Sequence, residues 1–105
     1  MDAQSKKGLI DICVLAVLCK GDSYGWQVIK ELEHVIAISE STLYPILKRL
    51  EQQKFVEPYE VPHNGRLRRY FKLLPAGAGR MAQFAKEQEQ MMKIYAFIDE
   101  ARQYV

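Results

Sequence analysis

The sequence contains little cysteine, proline or glycine and no long apolar run. Two cysteines, six glycines and four prolines among 105 residues exclude a disulfide scaffold, a collagen and a low-complexity linker. The apolar run from Leu9 to Cys19 is interrupted by Asp11, which argues against both a membrane span and a secretion signal. The length suits one domain with one hydrophobic core. We therefore expect a cytoplasmic protein that does not enter a membrane.

Signatures of catalysis and metal binding are also lacking. Cys13 and Cys19 lie six residues apart, on different faces of one predicted helix, which favours reduced thiols over a bridge between them. The sequence has no CxxC pair, no GxSxG and no HExxH motif. We expect no enzymatic activity, no metal and no cofactor.

Charge is nearly balanced over the chain but not within it. The formal net charge is +2, yet the segment from His63 to Arg80 has no acidic residue and carries five cations, namely Arg66, Arg68, Arg69, Lys72 and Arg80. Such a local excess suits an anionic polymer.

The first half of the chain predicts three helices. The near-continuous apolar run from Leu9 to Leu18 is typical of a buried helix, and Gly21 marks its end. A short amphipathic helix follows over residues 23–35, with Asp22 or Ser23 as its cap and Gly25 at a close helix contact. A third helix reaches about Lys54 and is capped by Ser39 or Ser41.

The third helix has one apolar face and one polar face. Leu43, Ile46, Leu47 and Leu50 form the inward stripe, and Pro45 predicts a bent or late-starting helix. Tyr44 could contact a phosphate or place its hydroxyl in the core, and the pattern leaves both open. The outward face and its flanks contain Ser41, Thr42, Tyr44, Pro45, Lys48, Arg49 and Gln52.

A β-hairpin is predicted next. Asn64-Gly65 joins two strand-like runs, and both residue types tolerate the positive φ angles of a tight hairpin turn. Prolines restrict the first strand to a sheet edge. The second strand alternates, with Leu67, Phe71 and Leu73 on one side and a basic outer face formed by Arg66, Arg68, Tyr70 and Lys72.

The chain from Pro75 to Val105 is predicted to form one long helix. Its apolar stripe follows a heptad pattern and is longer than one small core can cover, so we expect a homodimer. Trp26 and the methionines could serve packing and dimerisation or a pocket for a small aromatic effector. The candidate dimer or effector interface comprises Trp26, Phe84, Gln88, Met91, Met92, Tyr95 and Ile98.

These elements predict a mainly α protein with a small β-hairpin, a winged helix-turn-helix with a long C-terminal dimerisation helix. Residues 1–76 would form the DNA-binding domain and residues 77–105 the dimerisation helix. The third helix would enter the major groove and the basic hairpin would meet phosphates. The alternative is a dimeric protein-interaction module, which would not need so basic a hairpin. The candidate DNA-binding residues are Ser41, Thr42, Tyr44, Pro45, Lys48, Arg49, Arg66, Arg68 and Arg69.

The sequence also resembles the PadR family of transcriptional regulators. The resemblance covers about residues 7–80. The sequence departs from the family at four positions: Ser41 and Lys54 replace usual glycines, and Leu74 replaces a usual threonine. Gln88 lies where some small members have an aromatic residue. The matching stretches are Lys7-Gly8-Leu9-Ile10, Tyr24-Gly25-Trp26-Gln27-Val28-Ile29, Ser41-Thr42-Leu43-Tyr44-Pro45, Leu47-Lys48-Arg49-Leu50-Glu51, and Gly65 with Arg68-Arg69-Tyr70-Phe71-Lys72-Leu73 and Gly77. The resemblance implies a dimeric bacterial regulator, usually a repressor that a small molecule releases from palindromic DNA.

Overall fold

The computed structural model describes the backbone of residues 3–105 and the side chains of residues 8–105. Lys7, which opens the first matching stretch, therefore lies outside the described side chains. The predicted class, mainly α with a small β-hairpin and a long final helix, is confirmed. The elements in chain order are α1 (Ala3–Cys19), β1 (Ser23–Tyr24), α2 (Gly25–Leu32), α3 (Glu40–Gln52), β2 (Val56–His63), β3 (Arg66–Leu73) and α4 (Pro75–Arg102).

The hydrophobic core lies between the first three helices and the inner face of the sheet. The predicted inward stripe of α3 is buried, and α1 and α2 bury Leu15 and Val28 against it. The sheet contributes Val56 and Phe71 to the same cluster. Because this cluster covers one side of α3 only, the opposite side of that helix remains open to a partner.

The region before α2 differs from the sequence-based prediction. Residues 23 and 24 form a short strand, in which Ser23 pairs with Phe71 and Tyr24 with Tyr70. The helix therefore begins at Gly25, and its N-cap residue Tyr24 makes no side-chain capping bond. The expectation that Asp22 or Ser23 caps this helix was wrong, because cross-strand pairing takes up this segment. The helix also ends at Leu32, three residues earlier than predicted.

The start of α3 settles which serine caps it. Ser39 is the N-cap, and its Oγ accepts a hydrogen bond from the backbone N–H of Thr42 at 3.3 Å. The helix begins at Glu40 and continues through Pro45, so the expected late start was wrong. Only the proline lacks an N–H to donate, and the turns on either side keep the helix continuous.

The hairpin has the predicted turn and the predicted edge. Asn64 and Gly65 adopt φ angles of 51° and 77°, which bring β2 back as antiparallel β3. The strand order is β1-β3-β2, so the proline-containing strand β2 is an edge, as expected.

Helix α4 begins on the core and then leaves it. Gly77 is buried against the Phe55 carbonyl and Leu73, and Met81 and Phe84 pack beside the core. Phe84 is thus partly used inside its own protomer, although the sequence placed it at a dimer or effector interface. The rest of this 28-residue helix projects away, and the longest dimension of the molecule is 65 Å.

Candidate nucleic-acid interface

The exposed face of α3 carries most of the residues that the sequence assigned to it. Ser41, Thr42, Tyr44, Pro45 and Lys48 are all exposed. The helix has 13 residues and is about 20 Å long at a rise of ~1.5 Å per residue. Such a helix fits a DNA major groove ~12 Å wide, so this face has the dimensions and the polar side chains for base contacts.

Hydroxyl groups cluster at the N-terminus of α3. The Oγ of Ser39 lies 2.9 Å from the Oγ of Ser41 and donates to the hydroxyl of Thr42 at 3.3 Å. Each hydroxyl can donate and accept, so the cluster can exchange its internal bonds for contacts with base edges. The capping bond from Ser39 holds the three groups at one end of the helix.

Tyr44 connects the two helices of the helix-turn-helix. Its ring is half exposed, while a Cβ built on Gly25 would lie 2.9 Å from its hydroxyl oxygen. Gly25 therefore permits the close helix contact that the sequence predicted. The hydroxyl therefore lies at the junction of α2 and α3, against Gly25.

Arg49, one of the predicted DNA-binding residues, pairs with a residue of α1, which the sequence did not indicate. Its Nη2 and Nε donate to the two carboxylate oxygens of Asp11 at 2.7 and 3.1 Å, which joins α3 to α1. This hydrogen bond raises the pKa of Arg49. The guanidinium of Arg49 is turned toward α1 and is partly buried, so this pair joins two helices of the core.

The two adjacent arginines of the wing point in opposite directions. Alternation along β3 puts Arg68 on the outer face with Tyr70 and puts Arg69 on the inner face with Phe71. The outer face thus has the members expected from the sequence, and Arg69, which the sequence analysis placed on neither face, lies on the opposite one. The period-2 rule applied to Arg69 would have predicted this division.

Aromatic rings support Arg68 on the outer face. Its guanidinium carbon lies 4.0 Å from the centroid of the Tyr24 ring. Tyr24 contacts Tyr70 edge-on at 5.3 Å, and Tyr70 stacks on Tyr59 at 5.6 Å. The Tyr59 hydroxyl donates to Asp22 at 2.6 Å, and this bond raises the pKa of Tyr59. The cation is thereby held over a rigid platform.

An open groove of about 510 Å³ separates α3 from β3. Its floor is the apolar pair Leu47 and Phe71, and Arg69 reaches across it to within 3.5 Å of the Glu51 carboxylate. The rim adds residues that sequence reasoning did not assign to the interface, namely Glu51, Gln52 and Lys54, beside the predicted Tyr44, Lys48 and Arg69. The groove thus joins the helix face and the wing into one surface, which we call the helix-wing groove.

The wing tip is exposed and basic. Arg66 follows the Asn64-Gly65 turn, and the side chain of Leu67 next to it is largely exposed. A narrow two-stranded projection with a cation at its tip can reach the phosphates that flank a groove.

The C-terminal half of α4 carries an uncovered apolar face within the protomer. Trp26 lies apart from this face, on α2, with the ammonium of Lys30 at 5.6 Å from its ring. The other candidate interface residues are on α4, where Gln88, Met91, Met92, Tyr95 and Ile98 are exposed. The structure describes one protomer, so these residues stay candidates for a dimer or effector contact.

Two further features are lacking in the described part of the chain. It contains no group of three or more His, Cys, Asp or Glu side chains placed to hold a metal ion. Among the same residues, no helix is long and apolar enough to cross a membrane.

Comparison with known proteins agrees with this geometry. Three helices, a short strand and a hairpin with an exposed third helix define a winged helix-turn-helix protein. The model of the Transcriptional regulator PadR-like family matches residues 14–83, and the chain belongs to this family. The family consists of transcriptional regulators and not of enzymes.

Solved structures show the same fold. A PadR-like transcription factor from Bacteroides fragilis is 26% identical, with a TM-score of 0.83 over 91% of this chain and 95% of that one. The smu.1704 protein of Streptococcus mutans UA159 is 36% identical, with a TM-score of 0.77 over 90% and 89%. Bacillus subtilis PadR in complex with operator DNA is 17% identical, with a TM-score of 0.69 over 73% of this chain and 46% of that one. This last likeness is one of fold alone.

Proposed function

We propose that this PadR-like regulator binds specific double-stranded DNA as a homodimer and represses transcription from palindromic operators. The observation that carries the proposal is the continuous surface formed by the exposed face of α3, the helix-wing groove and the basic hairpin. The operator complex of Bacillus subtilis PadR supports it, because that protein shares the fold.

The side chains divide into two roles. Ser41, Thr42 and Lys48 on α3 are placed to meet base edges, which carry the sequence information. Tyr44 and Pro45 are exposed beside them on the same helix. Phosphate contacts fall to the wing, where Arg66, Arg68 and Arg69 provide charge that is independent of sequence.

The uncovered face of α4 supports the homodimer. Met91, Tyr95 and Ile98 are about half exposed, and apolar surface of this extent on a projecting helix is typical of an interface between copies. Residues 1–76 then act as the DNA-binding unit and residues 77–105 as the dimerisation helix. Two related units read two half-sites, which is why the operator is palindromic.

Release by a small aromatic effector is part of the proposal. The flexible thioethers of Met91 and Met92 can adapt to an apolar ligand between two such helices. Gln88 on the same helix would offer a polar contact. The regulator would act in the cytoplasm, where its DNA lies.

The experiment is a titration against a fluorescent duplex taken from upstream of its own coding region, beside a scrambled duplex, at two salt concentrations. We expect tight, salt-sensitive binding with preference for the native duplex. Equal weak binding to both duplexes would contradict sequence-specific regulation at that site. No binding at low salt would contradict DNA binding altogether and would favour a winged-helix module that binds another protein.

A further inference from the structure

We propose that Lys54 contacts a DNA phosphate, and that Lys48, Lys54 and Arg69 together form a phosphate-binding site in the helix-wing groove. This inference rests on the proposed function and adds to it a residue and a location for the backbone of one DNA strand. The starting observation is a backbone conformation that a lysine rarely adopts.

Lys54 follows the end of α3 in the left-handed region, with φ at 64°. Its N–H donates to the Glu51 carbonyl at 3.0 Å, and the N–H of Phe55 donates to the Leu50 carbonyl at 2.9 Å. These two bonds form a Schellman motif, in which the residue at the Lys54 position has positive φ and is usually glycine. A side chain there strains the backbone, because Cβ approaches the carbonyl oxygen.

The strain is not explained by packing. Lys54 is exposed, and its side chain borders the helix-wing groove. A residue held in a costly conformation without burial points to a role for its side chain. A glycine at this position would have no side chain, and the ammonium group is the charged part of the side chain that lysine adds.

The surroundings of Lys54 identify what that ammonium binds. Lys48 projects from α3 and Arg69 from β3 into the same groove, which puts three cations around one open channel. Glu51 is the only acidic residue that borders the groove among the described residues, and Arg69 is 3.5 Å from it. Three cations against one carboxylate leave an excess of positive charge, and an open, charged channel fits a phosphodiester strand better than an apolar ligand.

The Glu51–Arg69 ion pair positions the Arg69 guanidinium in the phosphate-binding site before DNA binds. Both side chains are substantially exposed, so water and salt weaken their attraction and a phosphate can displace the carboxylate. Until DNA binds, the pair keeps the Arg69 guanidinium over the groove. Lys54 has no such pair among the described contacts and is free to bind phosphate directly.

Lys54→Gly tests the backbone strain and the charge of Lys54 in one variant, because the two have different readouts: Tm for the strain, and DNA affinity and salt slope for the charge. The substitution removes both the backbone strain and the charge, so we expect Tm to rise by about 4 °C or more. DNA affinity should fall for specific and scrambled duplexes alike. The slope of log K against log salt should become shallower by ~1.8, because each of the two subunits loses one phosphate contact that contributes ~0.9. Lys54→Arg keeps the charge and the strain, and should keep both affinity and slope.

Lys86→Gln is the matched control, because it removes one positive charge from an exposed position on α4. It should leave the salt slope at the wild-type value. Wild-type affinity and slope in Lys54→Gly, with wild-type protein that binds DNA, would overturn the role of Lys54 and leave the proposed function intact. Absence of DNA binding by the wild-type protein at low salt would overturn both.

Discussion

Arg49 on α3 and Asp11 on α1 form a bidentate ion pair, with both carboxylate oxygens accepting from the guanidinium at 2.7 and 3.1 Å. The two side chains are 31% and 21% exposed, so the pair is better shielded from water than the other described ion pairs. It links the helix that would read DNA to the helix at the centre of the core. The orientation of α3 therefore depends on a contact with the first helix.

Arg49→Ala should lower the free energy of unfolding by about 2 kcal/mol, because charge-assisted hydrogen bonds are lost and Asp11 is left unpaired. Urea unfolding measures this loss. Arg102→Ala is the control, since its pair with Asp99 is highly exposed and should contribute at most about 0.5 kcal/mol. Equal losses in the two variants would contradict the structural role of Arg49, as would a shallower salt slope for DNA binding in Arg49→Ala.

Much of this fold follows from short-range patterns in the sequence. The i, i+3, i+4, i+7 spacing of Leu43, Ile46, Leu47 and Leu50 predicts the buried side of α3, and Asn64-Gly65 predicts the hairpin turn. These features depend on neighbours within about seven residues, so the sequence displays them directly.

The features that the sequence did not reveal depend on distant partners. Strand β1 exists because Ser23 and Tyr24 pair with β3, and two residues carry no periodic signal of their own. The pair between Arg49 and Asp11 could not be seen from the sequence, because the two residues are 38 positions apart in the chain. Without that partner, Arg49 was assigned to the DNA-binding residues. Lys54 was visible as a departure from a usual glycine, but its place beside Lys48 and Arg69 required the fold.

Tyr24 is predicted to hold Arg68 in position for DNA. Tyr24→Leu removes the ring under the guanidinium, and DNA affinity should fall roughly threefold for each bound subunit, in line with an exposed cation–π contact. Tyr24→Phe keeps the ring and should bind like the wild type. In an Arg68→Ala background, Tyr24→Leu should cause little additional loss; a full additional loss would show that the two residues act independently.

Gly77 and Gly79 are predicted to respond oppositely to alanine. A Cβ at Gly77 would collide with the Phe55 carbonyl, which is backbone and cannot move aside, so Gly77→Ala should destabilise the protein by about 1–3 kcal/mol. A Cβ at Gly79 would meet nothing within 4 Å, and Gly79→Ala should stabilise helix α4 by up to about 1 kcal/mol. Thermal unfolding of the two variants checks this contrast, and a stable Gly77→Ala would refute the close contact.

The dimer is predicted to depend on the apolar face of α4. Ile98→Glu adds a charge to that face and should shift the protein to monomer at micromolar concentration in sedimentation velocity. Ala96→Glu adds the same charge two residues away, ~200° around the helix, and should leave the dimer intact. A monomeric wild type, or dimers of equal stability in both variants, would contradict this interface.

The central claim is that the α3 face and the wing read specific DNA. The most direct measurement is selection of bound duplexes from a random library by the wild-type protein and by Lys48→Ala, followed by sequencing. The account predicts that the wild type enriches a two-fold symmetric motif, with half-site centres about 10 base pairs apart or a multiple of that, and that Lys48→Ala enriches an altered or weaker motif. A wild-type pool that stays random at low salt would contradict the account.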